Sequence, residues 1–565
     1  MTHPVDVRFP DDFNLADYFL FDREREGKAG RVALRFGERS WSYGEVAERS
    51  RALARALVDG GLQPEQRVYI VLPDTPAFAW SIFGTLAAGG IVTMGNPIAP
   101  PDDLHYVLDY VRASVLVTTP EVAAALAPRL AEHPQLRAVL LSPDAATGAD
   151  PEAACDPIET IAIAQSLTSA IQLGRTLRTR LPALHRDDPA IWLFTSGSTG
   201  RPKAAMHSHR DFAWNTEVYA KRTVGYREDD VTVSVPRLFF GYATGTNLWF
   251  PFAVGATVGL FSERPTAESI SAAIARYRAT IVTNVPTMLG KLLDLDDERR
   301  ARGEPGLDLS SVRFHLSAGE ALPEPLLRRF VERFGPKAEP GGPRPTGANE
   351  VYDGIGSAEM FHIYASNRPG DVKPGSLGRA VAGYELAILP EDATGPGAPR
   401  LPPGEIGILW VRGDSVAHGY YRDRDKSWAT FHGHWCKTGD LFHIDDGGYL
   451  YFSGRADDLF KVGGVFVAPR EVEDCLLSHP AVSMAAVIPA EDQGLTKPKA
   501  LIVVRPEARS RDRARLADEL KHHVQDRLSK HKYPRWIVFV DDLPKNDRGK
   551  VDKKALIERE RAGQL

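Results

Sequence analysis

AIWLFTSGSTGRPKAAMHSH, residues 190–209, sets an apolar run directly against a loop of glycine, serine, threonine, proline and lysine. A glycine-rich turn lets consecutive backbone N–H groups converge on an anion, hydroxyls add donors, and a lysine adds positive charge. Thr195, Ser196, Gly197, Ser198, Thr199, Gly200 and Lys203 therefore read as a phosphate cradle. The spacing is not that of a Walker A loop, because Gly200 is followed by Arg201, Pro202 and Lys203 and no Gly-Lys-Ser/Thr occurs. A flexible linker is the plainer reading. A linker, however, has no reason to place proline and lysine after the glycines, or to sit between an apolar strand and a Ser208-x-x-Asp211 capping box.

Outward from this loop the chain alternates short apolar runs with amphipathic stretches. Runs at 68–72, 115–118, 139–141, 191–194, 281–285 and 312–316 predict strands, and 50–57 and 270–277 carry helical spacing between them. The pattern is that of an α/β protein with largely parallel sheets, here in two sub-lobes. After Leu377 short strands at 385–389, 406–412 and 449–452, joined by Gly/Pro turns, predict a β-rich lobe. From about 456 a small α+β domain is expected. Pro469 opens a helix with Val472, Cys475 and Leu476 on one face; strands follow at 482–488 and 500–504, a helix at 514–528 and a strand at 536–540. The expected division is a large domain, 1–455, and a small one, 456–565. Residues 145–184, rich in Ala, Pro and Thr, read as a surface excursion.

With 565 residues, 43% of them hydrophobic, and a net charge of -5, the chain is long enough for at least two domains and has no basic field for nucleic acid. Three widely separated cysteines, in no Cys-x-x-Cys pair, argue against a disulfide framework or a zinc site and point to a reducing cytoplasm. The acidic start lacks an export pattern. Two uncharged runs, 75–101 and 238–261, are broken by proline, glycine and polar residues, so buried core rather than a membrane span is expected.

TSGSTGRPK at 195–203 resembles the phosphate loop of the adenylate-forming superfamily of acyl-CoA synthetases, carrier-protein adenylation domains and luciferases. GIGSAE at 354–359, WCKTGD at 435–440, GRADDLFKVGG at 454–464 and PKNDRGK at 544–550 match further motifs in the same order. DYFL near the start, RLFFGYATG and GIGSAEMFHIYASNRPG look most like benzoate-CoA ligases and related aryl-CoA ligases.

The resemblance implies ATP, Mg²⁺ and coenzyme A. A carboxylate attacks the α-phosphate, pyrophosphate leaves, and a thiol captures the acyl adenylate. It assigns the loop and Lys203 to the β and γ phosphates, Glu359 to the metal, and Asp440 to the ribose hydroxyls. Gly319, Glu320, Asp353 and Gly354 would line the adenine side, and Arg455 would reach the ribose or phosphates. Lys550 would be the catalytic lysine, Asp457 the hinge of a mobile C-terminal domain, and Lys461, Gly463 and Gly464 part of its thiol face.

Phe240, Gly241, Tyr242, Ile355 and His362 match the region that surrounds the ring in aryl-CoA ligases. Relatives of this type often carry Ala where this chain has Gly241, which points to an aromatic acid with a hydroxyl or amino substituent. Ala358 departs from the family's usual threonine and cannot donate to the α-phosphate; one neutral hydrogen bond is worth roughly 0.5 to 1.5 kcal/mol. A carrier-protein phosphopantetheine as the thiol, and a catalytically weak nucleotide-binding regulatory protein, are the competing readings.

Overall fold

A computed structural model describes residues 5–144, 149–196, 201–335, 348–455, 460–462, 465–492, 495–544 and 551–565. The chain divides into two compact units. The larger comprises Met1–Leu322, Leu326–Leu386 and Val411–Cys436; the smaller comprises Pro323–Pro325, Ala387–Trp410 and Lys437–Leu565.

The larger unit holds two sheets. The first has seven strands in the order Ala164–Ser166, Ala138–Leu141, Ala113–Thr118, Arg67–Val71, Ile91–Met94, Pro189–Ser196 and Pro202–Ser208. All neighbours are parallel except the last pair. Its inner strands Ile91–Met94 and Ala113–Thr118 are buried along their whole length, as in a sheet covered on both faces.

The second sheet has nine strands, with a parallel centre running through Glu350–Gly356, Phe314–Ser317, Ile281–Asn284, Val231–Ser234, Thr257–Leu260 and Val32–Phe36. Antiparallel strands close both edges. The α/β expectation with two parallel sub-lobes therefore holds.

Helices form where their ends are satisfied. Tyr43–Asp59 starts on a Ser42/Glu45 capping box, and the helix after the loop strand starts on the Ser208/Asp211 box expected from sequence. Pro76–Ala87 opens with proline at its first turn and is buried along its entire length. The second uncharged run folds as one helical stretch, Gly241–Thr244, Gly245–Trp249 and Phe250–Val254, whose middle turn is π-helical. Among the described residues no helix is long and apolar enough to cross a membrane.

The reading of 145–184 as an excursion needs correction. Ala164–Ser166 is an edge strand of the seven-stranded sheet, and Leu167–Thr176 packs as a helix on Tyr43–Asp59. Gly174 makes that packing close: a Cβ there would lie 1.8 Å from the Ala52 carbonyl.

In the smaller unit, strands Val482–Asp492, Leu495–Val504 and Trp536–Phe539 form a three-stranded sheet. Helices Pro469–Leu477 and Arg513–Gln525 bury Val472, Leu476, Leu516 and Leu520 in a common core with Val487 and Ile502. The β-rich stretch is present as Glu385–Leu389, Gly407–Arg412, Trp435–Ile444 and Leu450–Arg455.

Candidate active site

The phosphate-loop candidate is the connection of a β-hairpin. Phe194 pairs with Ala204, Thr195 with Lys203 and Ser196 with Pro202, leaving Gly197, Ser198, Thr199 and Gly200, outside the described residues, to join the strands. The side chain of Ser196 is likewise outside the description. Lys203 is the second residue of the returning strand; its Nζ lies 3.3 Å from Asp423 Oδ2 and 5.7 Å from the Tyr420 ring centroid.

Glu359 sits in a 3-10 turn, Ala358–Met360, directly after the strand Glu350–Gly356. Three consecutive carbonyls of that turn are held from outside. His207 Nε2 donates to Ala358 O at 2.6 Å, Ala417 N to Glu359 O at 2.8 Å, and Ser415 Oγ to Met360 O at 2.8 Å. Phe361, which follows, has φ of +67°, a strained backbone for a residue with a side chain. Its ring is stacked on Phe212 at 4.0 Å and meets the His207 ring edge-on at 4.7 Å.

The Glu359 side chain is aimed as well as anchored. Tyr420 OH donates to its Oε1 at 2.7 Å, and no donor meets Oε2 among the described residues. No group of three His, Cys, Asp or Glu that could hold a metal occurs among the described residues. A cation at Glu359 would thus take one protein carboxylate and complete its shell with phosphate oxygens and water, which is the way Mg²⁺ is held in nucleotide sites. The donor set fits that ion.

Asp353 pairs in register with Ser317 on the neighbouring strand. Its carboxyl is buried, its Oδ1 meets no partner among the described residues, and burial pushes it up to about 8. Gly319 has φ of +88°, and Glu320 accepts from Thr287 N at 3.3 Å and Thr287 Oγ1 at 2.7 Å. Gly354 and Gly356 have a packing role: a Cβ would lie 2.7 Å from Ala365 O and 2.4 Å from His362 O respectively.

The ring-pocket candidates belong to the same unit. His362 is buried and held down at about 4 by burial, hence neutral; its Nε2 donates to Tyr242 O at 3.0 Å. That leaves Nδ1 as an acceptor, and among the described residues neither it nor the buried Tyr242 hydroxyl has a partner. Phe239 and Phe240 lie ring to ring at 4.3 Å, and Ile355 is half-buried. A Cβ on Gly241 would come 3.1 Å from Leu193 Cδ1, so the missing methyl makes room for Leu193.

In the smaller unit, Asp440 and Arg455 are cross-strand neighbours in the hairpin Trp435–Ile444 with Leu450–Arg455. Gly439, at φ of +76°, turns the chain beside Asp440, whose N–H donates to Thr438 Oγ1 at 3.2 Å. The side chains of Arg455 and Lys461, and all of Asp457, Gly463, Gly464 and Lys550, lie outside the described residues.

Sequence reading missed His207, Ser415, Tyr420 and Asp423. The one available signal is the repeated hydrophilic spacing in HSHRD, where His207 and Asp211 stand four apart and bond at 3.2 Å.

The family model of AMP-binding enzymes matches residues 21–421, and that of the AMP-binding enzyme C-terminal domain matches 471–550. A benzoate–CoA ligase of Thauera aromatica is 37% identical over 552 residues, 97% of each chain. A 4-hydroxybenzoate–CoA/benzoate–CoA ligase of Rhodopseudomonas palustris is 36% identical, covering 97% of this chain and 94% of its own. The crystal structure of the anthranilate CoA ligase AuaEII in complex with anthranoyl-AMP superposes with a TM-score of 0.85 at 32% identity, covering 99% of both chains.

Proposed function

As this chain belongs to the AMP-binding enzyme family, we propose that its acid is a benzoate bearing a hydroxyl or amino group. The enzyme is an AMP-forming acid–thiol ligase: it activates an aryl acid with ATP to the acyl adenylate and transfers the acyl group to coenzyme A. ATP and coenzyme A are its substrates.

The substituent reading rests on one observation. In an otherwise apolar, aromatic region, Tyr242 OH and His362 Nδ1 are buried and meet no partner among the described residues. Buried polar groups left unpaired are costly, and a substrate that pairs them is favoured over one that does not. A hydroxyl or amino group on the ring supplies a donor for His362 Nδ1. The acids in the relatives' names, benzoate, 4-hydroxybenzoate and anthranilate, span this range.

In the adenylation step the loop at 195–200 and Lys203 hold the β and γ phosphates of the leaving pyrophosphate. Glu359 holds Mg²⁺, which when bound neutralises charge on the phosphate oxygens. Gly319, Glu320, Asp353 and Gly354 serve the adenine side. Asp440, an acceptor-only carboxylate, takes the ribose hydroxyls beside Arg455. Lys550 meets the charge that develops between carboxylate and α-phosphate. The domain 456–565 then turns about Asp457, replacing Lys550 with Lys461, Gly463 and Gly464 along the thiol path. The cytoplasm is the proposed compartment, consistent with Cys155, Cys436 and Cys475 forming no disulfide among the described residues.

The test is pyrophosphate exchange across benzoate, amino- and hydroxybenzoates and aliphatic acids, followed by thioester analysis with coenzyme A. Exchange with a substituted benzoate at least as fast as with benzoate supports the reading. A strong preference for unsubstituted benzoate would reject the substituent, and absence of exchange with every aromatic acid would reject the activity.

A further inference from the structure

Lys203 lies on a strand and Glu359 in a turn of a separate segment, yet both adjoin one phenol. We propose that Tyr420 is the positioning residue for Glu359: its hydroxyl ties down Oε1 so that Oε2 alone is presented to the magnesium of MgATP. The proposal rests on the ATP-dependent activity assigned above and adds the residue that sets the metal geometry.

The phenol is itself fixed from several sides. Tyr420 is 7% exposed and clusters with Ala205 and Ala417, with Ala358 packed against them. Its ring lies 5.1 Å from that of Phe431. Its backbone forms an antiparallel bridge with Ala205, and its N–H donates to Ser427 Oγ at 2.9 Å. The flanking Gly419 O and Tyr421 N bond the loop-side strand at Met206 N and Ala204 O. The hydroxyl therefore has one place to go, and it goes to Glu359 Oε1 at 2.7 Å.

A glutamate side chain has three rotatable bonds, and a carboxylate left alone chelates with one oxygen or two. Mg²⁺ requires near-ideal octahedral geometry and is held through few protein oxygens, whereas larger cations tolerate irregular shells. A donor on Oε1 takes up one of its lone pairs, fixes the orientation of the carboxylate and disfavours the two-oxygen mode. A merely structural hydrogen bond, satisfying a buried phenol, would leave metal binding untouched.

Tyr420→Phe removes the hydroxyl and keeps the ring. The full-length variant is first checked for an unchanged unfolding transition. Pyrophosphate exchange is then measured against free Mg²⁺ and against free Mn²⁺, and binding of Mn²⁺·ATP without acid is titrated by electron paramagnetic resonance. Loss of a charge-assisted hydrogen bond predicts a rise of roughly tenfold in half-activating Mg²⁺. A smaller rise with Mn²⁺, weaker Mn²⁺·ATP binding and an acid KM within about twofold of wild type are expected with it.

Unchanged metal dependence, or an equal loss with both metals accompanied by a raised acid KM, would overturn the proposal. Placing Tyr420→Phe in a Glu359→Gln background decides whether the tyrosine acts through the glutamate. No further loss of Mn²⁺·ATP binding supports it, and an additive loss refutes it. Wild-type protein without acid-dependent exchange would defeat the assigned activity instead, while the resonance titration would still read the role of Tyr420.

Discussion

Lys203 Nζ and Asp423 Oδ2 stand 3.3 Å apart, the lysine side chain 13% and the aspartate 33% exposed. The lysine assigned to phosphate therefore already has a counter-ion. A partly exposed pair of this kind is worth about 1 kcal/mol or less, so phosphate competes with it at modest cost. Asp423→Asn should lower the KM for ATP by roughly two- to fivefold. The substitution keeps the helix cap, since Asp423 caps Arg424–Thr430 and asparagine caps equally well. Initial rates of pyrophosphate exchange against ATP decide it; a raised KM would show that Asp423 holds Lys203 in place rather than competing for it.

Gly245 and Gly241 differ in what stands opposite them. A Cβ on Gly245 would lie 2.4 Å from His362 Nε2, the atom that bonds Tyr242 O. Gly245→Ala must displace that ring and is expected to cost about 1–3 kcal/mol in stability. It should raise the acid KM at least several-fold while sparing the KM for ATP. On Gly241 the Cβ meets the end of Leu193 at 3.1 Å, and a leucine tip can shift. Gly241→Ala should therefore fold nearly as well as wild type and narrow the ring site, disfavouring substituted acids. Thermal unfolding with an acid panel separates the two; equal effects would contradict this geometry.

What was legible in the sequence was local. The apolar strand before the loop, the Ser208/Asp211 cap and the helix opened by Pro469 follow from patterns within a few residues. Asp440 and Arg455 were found by motif, but their adjacency is a matter of hairpin register. Tyr420 reaches the Glu359 side chain and His207 the neighbouring Ala358 carbonyl from two other segments, and nothing in the sequence announces either contact. Leu167–Thr176 was hidden by composition because its tight fit depends on Gly174 meeting Ala52.

Asp353 gives a pH signature. Its folded value, about 8, lies above the roughly 3.9 of an unfolded aspartate. Between those values the unfolded chain is ionised and the folded carboxyl is not, so the unfolded state binds fewer protons and this group lowers stability as pH rises. Asp353→Asn removes the titration and keeps the shape. The variant's melting temperature should gain on wild type from about pH 4 to about pH 8 and run parallel to it above. A constant offset across this range would exclude the buried, neutral carboxyl.

Ala358 is where this chain leaves the family pattern, and its surroundings state what a threonine would meet. Its carbonyl is taken by His207, while its methyl is packed against Ala205, Ala417 and Tyr420. Threonine adds a hydroxyl and a methyl at this half-exposed turn, and Ala358→Thr is expected to keep or raise adenylation, the gain bounded by roughly tenfold for one hydrogen bond. Pyrophosphate exchange at saturating acid measures it. A large fall, with Mn²⁺·ATP binding weakened in parallel, would show that the turn has been rebuilt around alanine to let Tyr420 reach Glu359.

Lys550 separates the two half-reactions. It is assigned to the charge developing in adenylation, and a preorganised partner of that kind contributes on the order of 10² to 10³ in rate. Lys550→Ala should suppress acid-dependent pyrophosphate exchange by that factor. Thioester formation from supplied acyl adenylate and coenzyme A should fall far less, because in the proposed second step the C-terminal domain would present Lys461, Gly463 and Gly464 instead. Equal loss in both assays would remove Lys550 from the adenylation step and with it the reason for the domain to turn about Asp457.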